Sequence, residues 1–328
     1  MVLTNNLKVG IVGCGYISRK HYEAILKNGD EVVALVDVNV SNAEKLAKEF
    51  GIRRNVEIAT KITDVYLDNV DAFVVCTPNA FLAENALFAI ENGKHVLVEK
   101  PGGMNSRELK HLAKLAEDKV VVHVGYNMRF HPSIRMAKQM IEDNAIGKIM
   151  FLSEKYGHGA RDSYNKEWRA DPKIAGKGVS MELGSHLINL SQWIMPSSRW
   201  TAISKLATLF WSMPVEDNAF IIMENENENI AFIHASCTEW NNTFEFEIYG
   251  TEGKIECDGL GKSYGKEQII YSKMNMGKKS TITKQTFDCD DSWWLQWEEF
   301  VGAINGEETF YSCDLYDAYS TMKTIETL

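Results

Sequence analysis

The sequence has no Cys-x-x-Cys pair. Its six cysteines, Cys14, Cys76, Cys237, Cys257, Cys289 and Cys313, are scattered along the chain. That excludes a zinc ribbon and leads us to expect free thiols in a reducing compartment, with no metal site. No apolar run approaches the ~20 residues of a membrane span. Residues 1–7 lack the basic, apolar and small segments of a secretory leader, so a cytoplasmic protein without membrane attachment is expected. Basic residues are outnumbered, with 35 Lys and Arg against 45 Asp and Glu and a formal net charge of −10. Such a balance argues against a general nucleic-acid binder, which needs basic surface to neutralise phosphates. A dinucleotide is not excluded, because its two phosphates are met locally. Internal repeats are absent as well. What remains is a globular composition, 45% hydrophobic and 24% charged over 328 residues, for which two domains are the natural expectation.

Residues 8–37 set the organisation. Lys8-Val9-Gly10-Ile11-Val12 is an apolar strand, Gly13-Cys14-Gly15-Tyr16-Ile17-Ser18 a glycine turn, and Ala24, Ile25 and Leu26 lie in the helix that follows. A second apolar run from Glu31 to Val36 ends on Asp37. Strand, glycine turn, helix, strand and acid in that order make a dinucleotide-binding βαβ unit. Gly13 allows a tight turn and Gly15 lets backbone approach a pyrophosphate, with Tyr16 and Ile17 completing the loop. The helix beginning near Ser18 points unpaired N–H groups and the positive end of its dipole at the phosphate. Ser18 stands where glycine or alanine is usual, but is still small. Asp37 is placed to accept hydrogen bonds from ribose hydroxyls, which predicts NAD(H), with NADP(H) as the alternative. No arginine follows in Val38-Asn39; Arg53 and Arg54 are the basic residues that could favour NADP(H).

Helices with Ser41 and Ser106 as N-caps alternate with apolar strands at 72–76, 95–98 and 120–124, the pattern of a parallel sheet covered on both faces. Ligands of such sheets bind beyond the carboxyl ends of the strands. Asp37, Thr77-Pro78-Asn79 and Glu99-Lys100-Pro101 follow strand ends, so they should line one crevice.

Gly13-x-Gly15, Cys76-Thr77-Pro78-Asn79, Glu99-Lys100-Pro101 and Gly125-Tyr126-Asn127-x-Arg129-Phe130 resemble the glucose–fructose oxidoreductase, inositol dehydrogenase and MocA family over nearly the whole chain. The resemblance implies a Rossmann domain, residues 1–125, followed by an α/β substrate and oligomerisation domain, residues 126–313, with a large, mostly antiparallel open sheet. It also implies that a helix over residues 314–328 packs back on the first domain. NAD(H) or NADP(H) as cofactor, a sugar or polyol substrate, and a homodimer or homotetramer follow from the same likeness. Thr77, Pro78, Asn79, Glu99 and Lys100 are then cofactor contacts, and Pro101 follows a cis bond.

Lys100 is the first candidate catalytic residue, a cation able to stabilise charge developing on the reacting oxygen. Glu182 and His186 are spaced i, i+4 in Met181-Glu182-Leu183-Gly184-Ser185-His186, which puts both on one face of a helix. The likeness makes His186 the acid/base and Glu182 the acid that orients it. Here the family usually has aspartate, and often another aspartate where Asn189 stands. Tyr126, Asn127, Arg129, Tyr156, His158, Trp168 and Arg169 are expected to face substrate, with Lys166 and Arg169 able to meet a phosphate. The stretches Tyr156-Gly157-His158-Gly159 and Lys166-Glu167-Trp168-Arg169 resemble members acting in surface-polysaccharide sugar pathways, which suggests a nucleotide-linked or phosphorylated sugar. An NAD-dependent glycoside hydrolase and a dinucleotide-binding regulator without turnover are the competing classes. Strand-like runs from Lys205 to Phe287 read as an antiparallel meander. Trp293, Trp294 and Trp297 are spaced as the core face of a helix.

Overall fold

A computed structural model describes residues 6–52, 56–277 and 279–328; Arg53 and Arg54 lie outside the described residues. The chain divides into two compact units, residues 1–127 with 293–320, and residues 128–292 with 321–328.

The first unit alternates strand and helix: β1 Lys8–Val12, α1 Ser18–Asn28, β2 Glu31–Val36, α2 Val40–Glu49, β3 Glu57–Ala59, β4 Ala72–Val75, α3 Leu82–Glu91, β5 His95–Glu99, α4 Ser106–Ala116 and β6 Val122–Gly125. All six strands are parallel, in the order β3-β2-β1-β4-β5-β6. β1, β4 and β5 are buried along nearly their whole length, as a sheet covered on both faces requires. Val12 lies level with Val36 and with Val75, and Val75 level with Val98. The carboxyl ends of β1, β2, β4 and β5 therefore share one edge, and strand order reverses between β1 and β4, where such sheets bind ligands.

Two helices are capped earlier than serine propensity predicts. Asn39 accepts the Ser41 N–H and Asn105 accepts those of Arg107 and Glu108; Ser106 is the first helical residue and Ser41 the second. An asparagine carbonyl reaches the amide two residues on, so asparagine outcompetes the adjacent serine.

The second unit contains α5 Pro132–Glu142, β7 Ile149–Gly157, α6 Pro172–Ala175, α7 Val179–Glu182, α8 Gly184–Ile194, then β8 Trp200–Ala207, β9 Asn218–Asn225, β10 Ile230–Ser236, β11 Thr243–Gly250, β12 Gly253–Asp258, β13 Glu267–Lys273 and β14 Thr281–Phe287. Its eight strands run β14-β13-β12-β11-β7-β10-β9-β8. The meander is interrupted: β7 lies between β10 and β11 and is parallel to β10, the one parallel pair of this sheet among the described residues. β8 begins at Trp200 rather than Lys205. It ends before Phe210 because the buried Asp217 carboxylate accepts the N–H groups of Leu209, Phe210 and Trp211 at 2.7–2.8 Å, which turns that segment out of the sheet.

α9 Ser292–Ile304 and α10 Leu315–Thr327 close the chain. Trp297 is fully buried in the core of the first unit, and its Nε1–H donates to Asp30 at 2.7 Å. Trp293 and Trp294 pack on the same core. The segment 293–313, placed in the second domain by the sequence reading, thus belongs to the first unit, because the tryptophan face of α9 is apolar enough to join that core. α10 is shared: residues 315–320 fall in the first unit and residues 321–327 in the second.

Candidate active site

On the carboxyl edge of the parallel sheet, Gly13 has φ +91°, and a Cβ there would lie 2.8 Å from the Cys76 backbone. Only glycine fits this turn. Gly15 differs: a Cβ there would meet nothing within 4 Å, so its lack of a side chain is not demanded by protein packing. The N-terminal end of α1 has no side-chain cap and no acidic residue in its first turn. Ser18 Oγ donates to the Gly15 carbonyl at 2.6 Å, fixing the loop that carries Tyr16 and Ile17; Tyr16 is exposed. The Asp37 carboxylate accepts the Cys14 N–H at 2.9 Å and the Asn39 N–H at 2.8 Å, holding the acid against the loop. An open space above Gly15, a helix start without a side-chain cap or an acidic residue, and an acid at the end of β2 fit the pyrophosphate and ribose of NAD. Arg19, the arginine of the same helix, is held by Glu49 and donates to the Gly15 carbonyl.

Beyond β4 come Thr77, Pro78 and the buried Asn79. β5 ends on Glu99, and beyond it comes the half-buried Lys100, whose bond to Pro101 is cis. Glu99 turns inward: Oε1 accepts from His21 at 2.8 Å, and Oε2 accepts the Lys100 N–H at 3.2 Å. It is therefore a buried anchor, where the likeness implied a cofactor contact.

In the second unit, Glu182 and His186 do not share one continuous helix. α7 ends at Glu182 and α8 starts at Gly184. Glu182 Oε2 accepts the Tyr164 hydroxyl at 2.5 Å, and Oε1 accepts from Arg169 Nε at 2.6 Å. Both carboxylate oxygens thus bind the segment between β7 and α6. Arg169 also meets Glu167 at 3.2 Å, Arg161 pairs with that Glu167 at 2.6 Å, and the Arg169 guanidinium lies over the Trp168 ring. Burial, together with the Glu182 charge, pushes the Tyr164 phenol far above the usual tyrosine range, so it stays a donor.

His186 is buried and meets Tyr156 edge-to-face at 6.0 Å. Tyr156 also packs on Tyr264 at 5.5 Å; burial raises its phenol, and the neighbouring Tyr264 adds to this. Burial lowers the basicity of His158, although Glu182 opposes the shift. Tyr156, His158, Trp168, Arg169 and His186 form one neighbourhood around Glu182. Arg129 does not join it: 2% exposed, it donates from Nε to Asn189 at 2.8 Å and lies beside Trp193. Its Nε is bound to α8 through Asn189, where the sequence reading placed it against substrate. Tyr126 and Asn127 are likewise buried. Tyr164 and His21 were missed in the sequence. Glutamate in place of aspartate at 182 was the signal for a partner one bond farther away.

Residues 7–126 match the oxidoreductase family with an NAD-binding Rossmann fold, and residues 134–256 match the C-terminal domain of the same Gfo/Idh/MocA family. Levoglucosan dehydrogenase of Pseudarthrobacter phenanthrenivorans is 28% identical over 298 residues, covering 76% of this chain and 73% of the relative. Glucose-6-phosphate 3-dehydrogenase of Bacillus subtilis is 28% identical over 226 residues, 67% of this chain and 63% of the relative. A solved levoglucosan dehydrogenase in complex with NADH superposes with a TM-score of 0.87 over 98% of this chain and 96% of that one, at 21% identity. With both domains matched and the glycine cradle in place, the chain belongs to the Gfo/Idh/MocA family of NAD-binding oxidoreductases.

Proposed function

We propose that this enzyme is an NAD-dependent dehydrogenase of a neutral cyclic sugar or polyol. The observation that carries the word neutral is the pairing of basic groups. Arg169 is held by Glu182 and Glu167, and Arg161 by Glu167, so the two arginines best placed to meet a phosphate already have carboxylate partners. A phosphate would have to displace them and leave the part-buried Glu167 and Glu182 carboxylates facing it. The levoglucosan dehydrogenase relative supports the same class. The second reading, a phosphorylated or nucleotide-linked sugar, is favoured by the glucose-6-phosphate 3-dehydrogenase relative and by the exposed Lys166.

Bound NAD supplies the hydride acceptor. Asp37 favours the unphosphorylated ribose, and Arg19 is occupied by Glu49 rather than poised for a 2′-phosphate. Lys100 offers its ammonium to the reacting oxygen as charge develops there. His186 takes the hydroxyl proton when the sugar is oxidised. Tyr156 limits the imidazole's freedom by edge-to-face packing.

A homo-oligomer is part of this reading. On one face of the eight-stranded sheet, Ile203, Ile222 and Phe232 lie in register and are exposed, flanked by Phe220, Ile230 and Phe151. A contiguous apolar face of this kind suits a second copy of the chain. Light scattering with size exclusion should give a dimer or tetramer; a monomer at micromolar concentration would refute it.

The activity test is a screen of anhydrosugars, free hexoses, inositols, sugar phosphates and nucleotide sugars with NAD⁺ and NADP⁺, read at the reduced-nicotinamide absorbance. Turnover confined to charged sugars refutes neutrality. Substrate consumption without net reduced nicotinamide assigns the hydrolase class instead.

A further inference from the structure

His21 lies in the first turn and a half of α1 and is 1% exposed, yet it is not an apolar residue. Its ring meets Trp293 edge-to-face at 5.0 Å. Nε2 donates to Glu99 Oε1 at 2.8 Å, while Nδ1 is buried with no hydrogen-bond partner among the described residues. The hydrogen bonding of this ring therefore goes wholly to Glu99. The other oxygen of Glu99 accepts the Lys100 N–H at 3.2 Å, and the Glu99 carbonyl accepts the Gly102 N–H at 2.9 Å. Gly125 on β6 completes the arrangement, since a Cβ there would lie 3.0 Å from Glu99 Oε1. α1 and β6 thus flank one carboxylate of β5, whose second oxygen holds the backbone of Lys100.

We propose that His21 is a positioning residue for Lys100. It fixes the Glu99 carboxylate, the carboxylate fixes the Lys100 amide, and the amide sets the direction in which the lysine side chain leaves the end of β5. A buried polar pair is retained in a core only if its hydrogen bonds are satisfied. Here the pair joins the helix of the glycine loop to the residue that precedes the catalytic candidate. Without His21, the buried Glu99 carboxylate loses a hydrogen-bond donor and must turn toward water or toward another donor. Lys100 then loses its fixed geometry, and a misplacement of about 1 Å is enough to cost roughly 10²-fold in rate. The inference rests on the reading of Lys100 given above only for its kinetic arm.

The test is residue-resolved hydrogen exchange of the full chain by mass spectrometry, on the wild type and on His21→Leu, His21→Gln and Glu99→Gln. His21→Leu is expected to speed exchange of the Lys100 amide at least about tenfold, while amides of β1 and β2 stay within about twofold. His21→Gln keeps an N–H donor at similar reach and is expected to restore most of the protection. If His21→Leu does not fold, Glu99→Gln decides, because its one acceptor oxygen cannot stand at both carboxylate oxygen positions, Oε1 facing the His21 N–H and Oε2 facing the Lys100 N–H; the same local rise is expected. On a substrate found by the screen, kcat of His21→Leu should fall about 100-fold with KM little changed. An unchanged Lys100 amide, a uniform rise across the first unit, or a glutamine variant no better than leucine overturns the proposal. Should Lys100→Ala keep its turnover, the catalytic reading of Lys100 fails while the exchange result still decides the role of His21.

Discussion

Glu182 is the point where removing one atom tells most. Tyr164→Phe deletes only the hydroxyl that donates to Glu182 at 2.5 Å. The ring keeps its packing against His158 and Trp211. A hydrogen bond to a charged group contributes about 1.5–3 kcal/mol. The Glu182 side chain is 21% exposed, so water compensates in part and the lower end applies, about 1.5 kcal/mol. Glu182→Gln removes the charge and weakens both bonds, for about 2 kcal/mol by the same reasoning. Because the two residues share one hydrogen bond, their effects should not add, and the double variant should be about 1 kcal/mol less destabilised than the sum. Glu182→Asp is the sharper probe. It draws the carboxylate back by about 1.5 Å, one C–C bond, too far to hold Tyr164 and Arg169 together. It should be at least as destabilising as Tyr164→Phe, even though aspartate is the usual family residue. Urea unfolding followed by tryptophan fluorescence measures all four variants. An interaction energy below about 0.3 kcal/mol, or an aspartate variant as stable as wild type, would refute the view that Glu182 ties the 158–170 segment to the break between α7 and α8.

Lys100→Ala should lower turnover at least about 100-fold while calorimetry still detects NAD⁺ binding; retention of most turnover would remove Lys100 from the chemistry. Gly15→Ala should weaken NAD⁺ binding strongly and leave the unfolding midpoint near wild type, because the new methyl enters open space, whereas Gly13→Ala should lower both. Titration calorimetry should show tighter binding of NAD⁺ than of NADP⁺; the reverse order would mean that Asp37 does not face the ribose. Burial lowers His123 to about 4, against about 6.5 unfolded, so its contribution is intact above pH 6.5 and is lost as pH falls toward 4, because only the unfolded chain takes up the proton. The loss is roughly 3 kcal/mol, and His123→Phe, beside Phe300, should flatten that part of the stability–pH curve.

The parallel sheet was legible because every signal in it is local. Apolar runs, glycine turns and the acid after β2 fall within a few residues of one another, and strand order follows from right-handed crossovers. Register did not have to be read, since fully buried strands are insensitive to it. The second sheet was legible only as a collection of strands. Inserting β7 between β10 and β11 is a pairing across a long stretch of chain, and nothing in the sequence of Ile149–Gly157 distinguishes a central strand from the first strand of a meander. Its one marker is Glu154, a buried glutamate whose Oε1 accepts the Ser191 hydroxyl of α8 at 2.5 Å, and glutamate in a strand ordinarily argues for an exposed face.

For the site, the family likeness proposed Lys100, Glu182 and His186, while spacing put the last two on one helical face and misjudged what their neighbours do. Spacing states which residues share a helical face only while the helix continues. Between Glu182 and Gly184 it does not: Leu183 closes α7, and the chain restarts as α8. Once the helix breaks, an i, i+4 pair has no geometric claim to contact. The carboxylate is then free to serve whatever donors the folded loop brings, and here these are a phenol and a guanidinium from residues 13 to 18 positions earlier. The extra methylene of glutamate is what lets one side chain hold both. Arg129 illustrates the converse. Its motif neighbours mark a cleft, but Asn189 in place of the usual aspartate still offers a carbonyl at 2.8 Å, and the guanidinium is buried and bound to α8. In both cases the residue type identified the position, and the partner chosen by the fold decided its role.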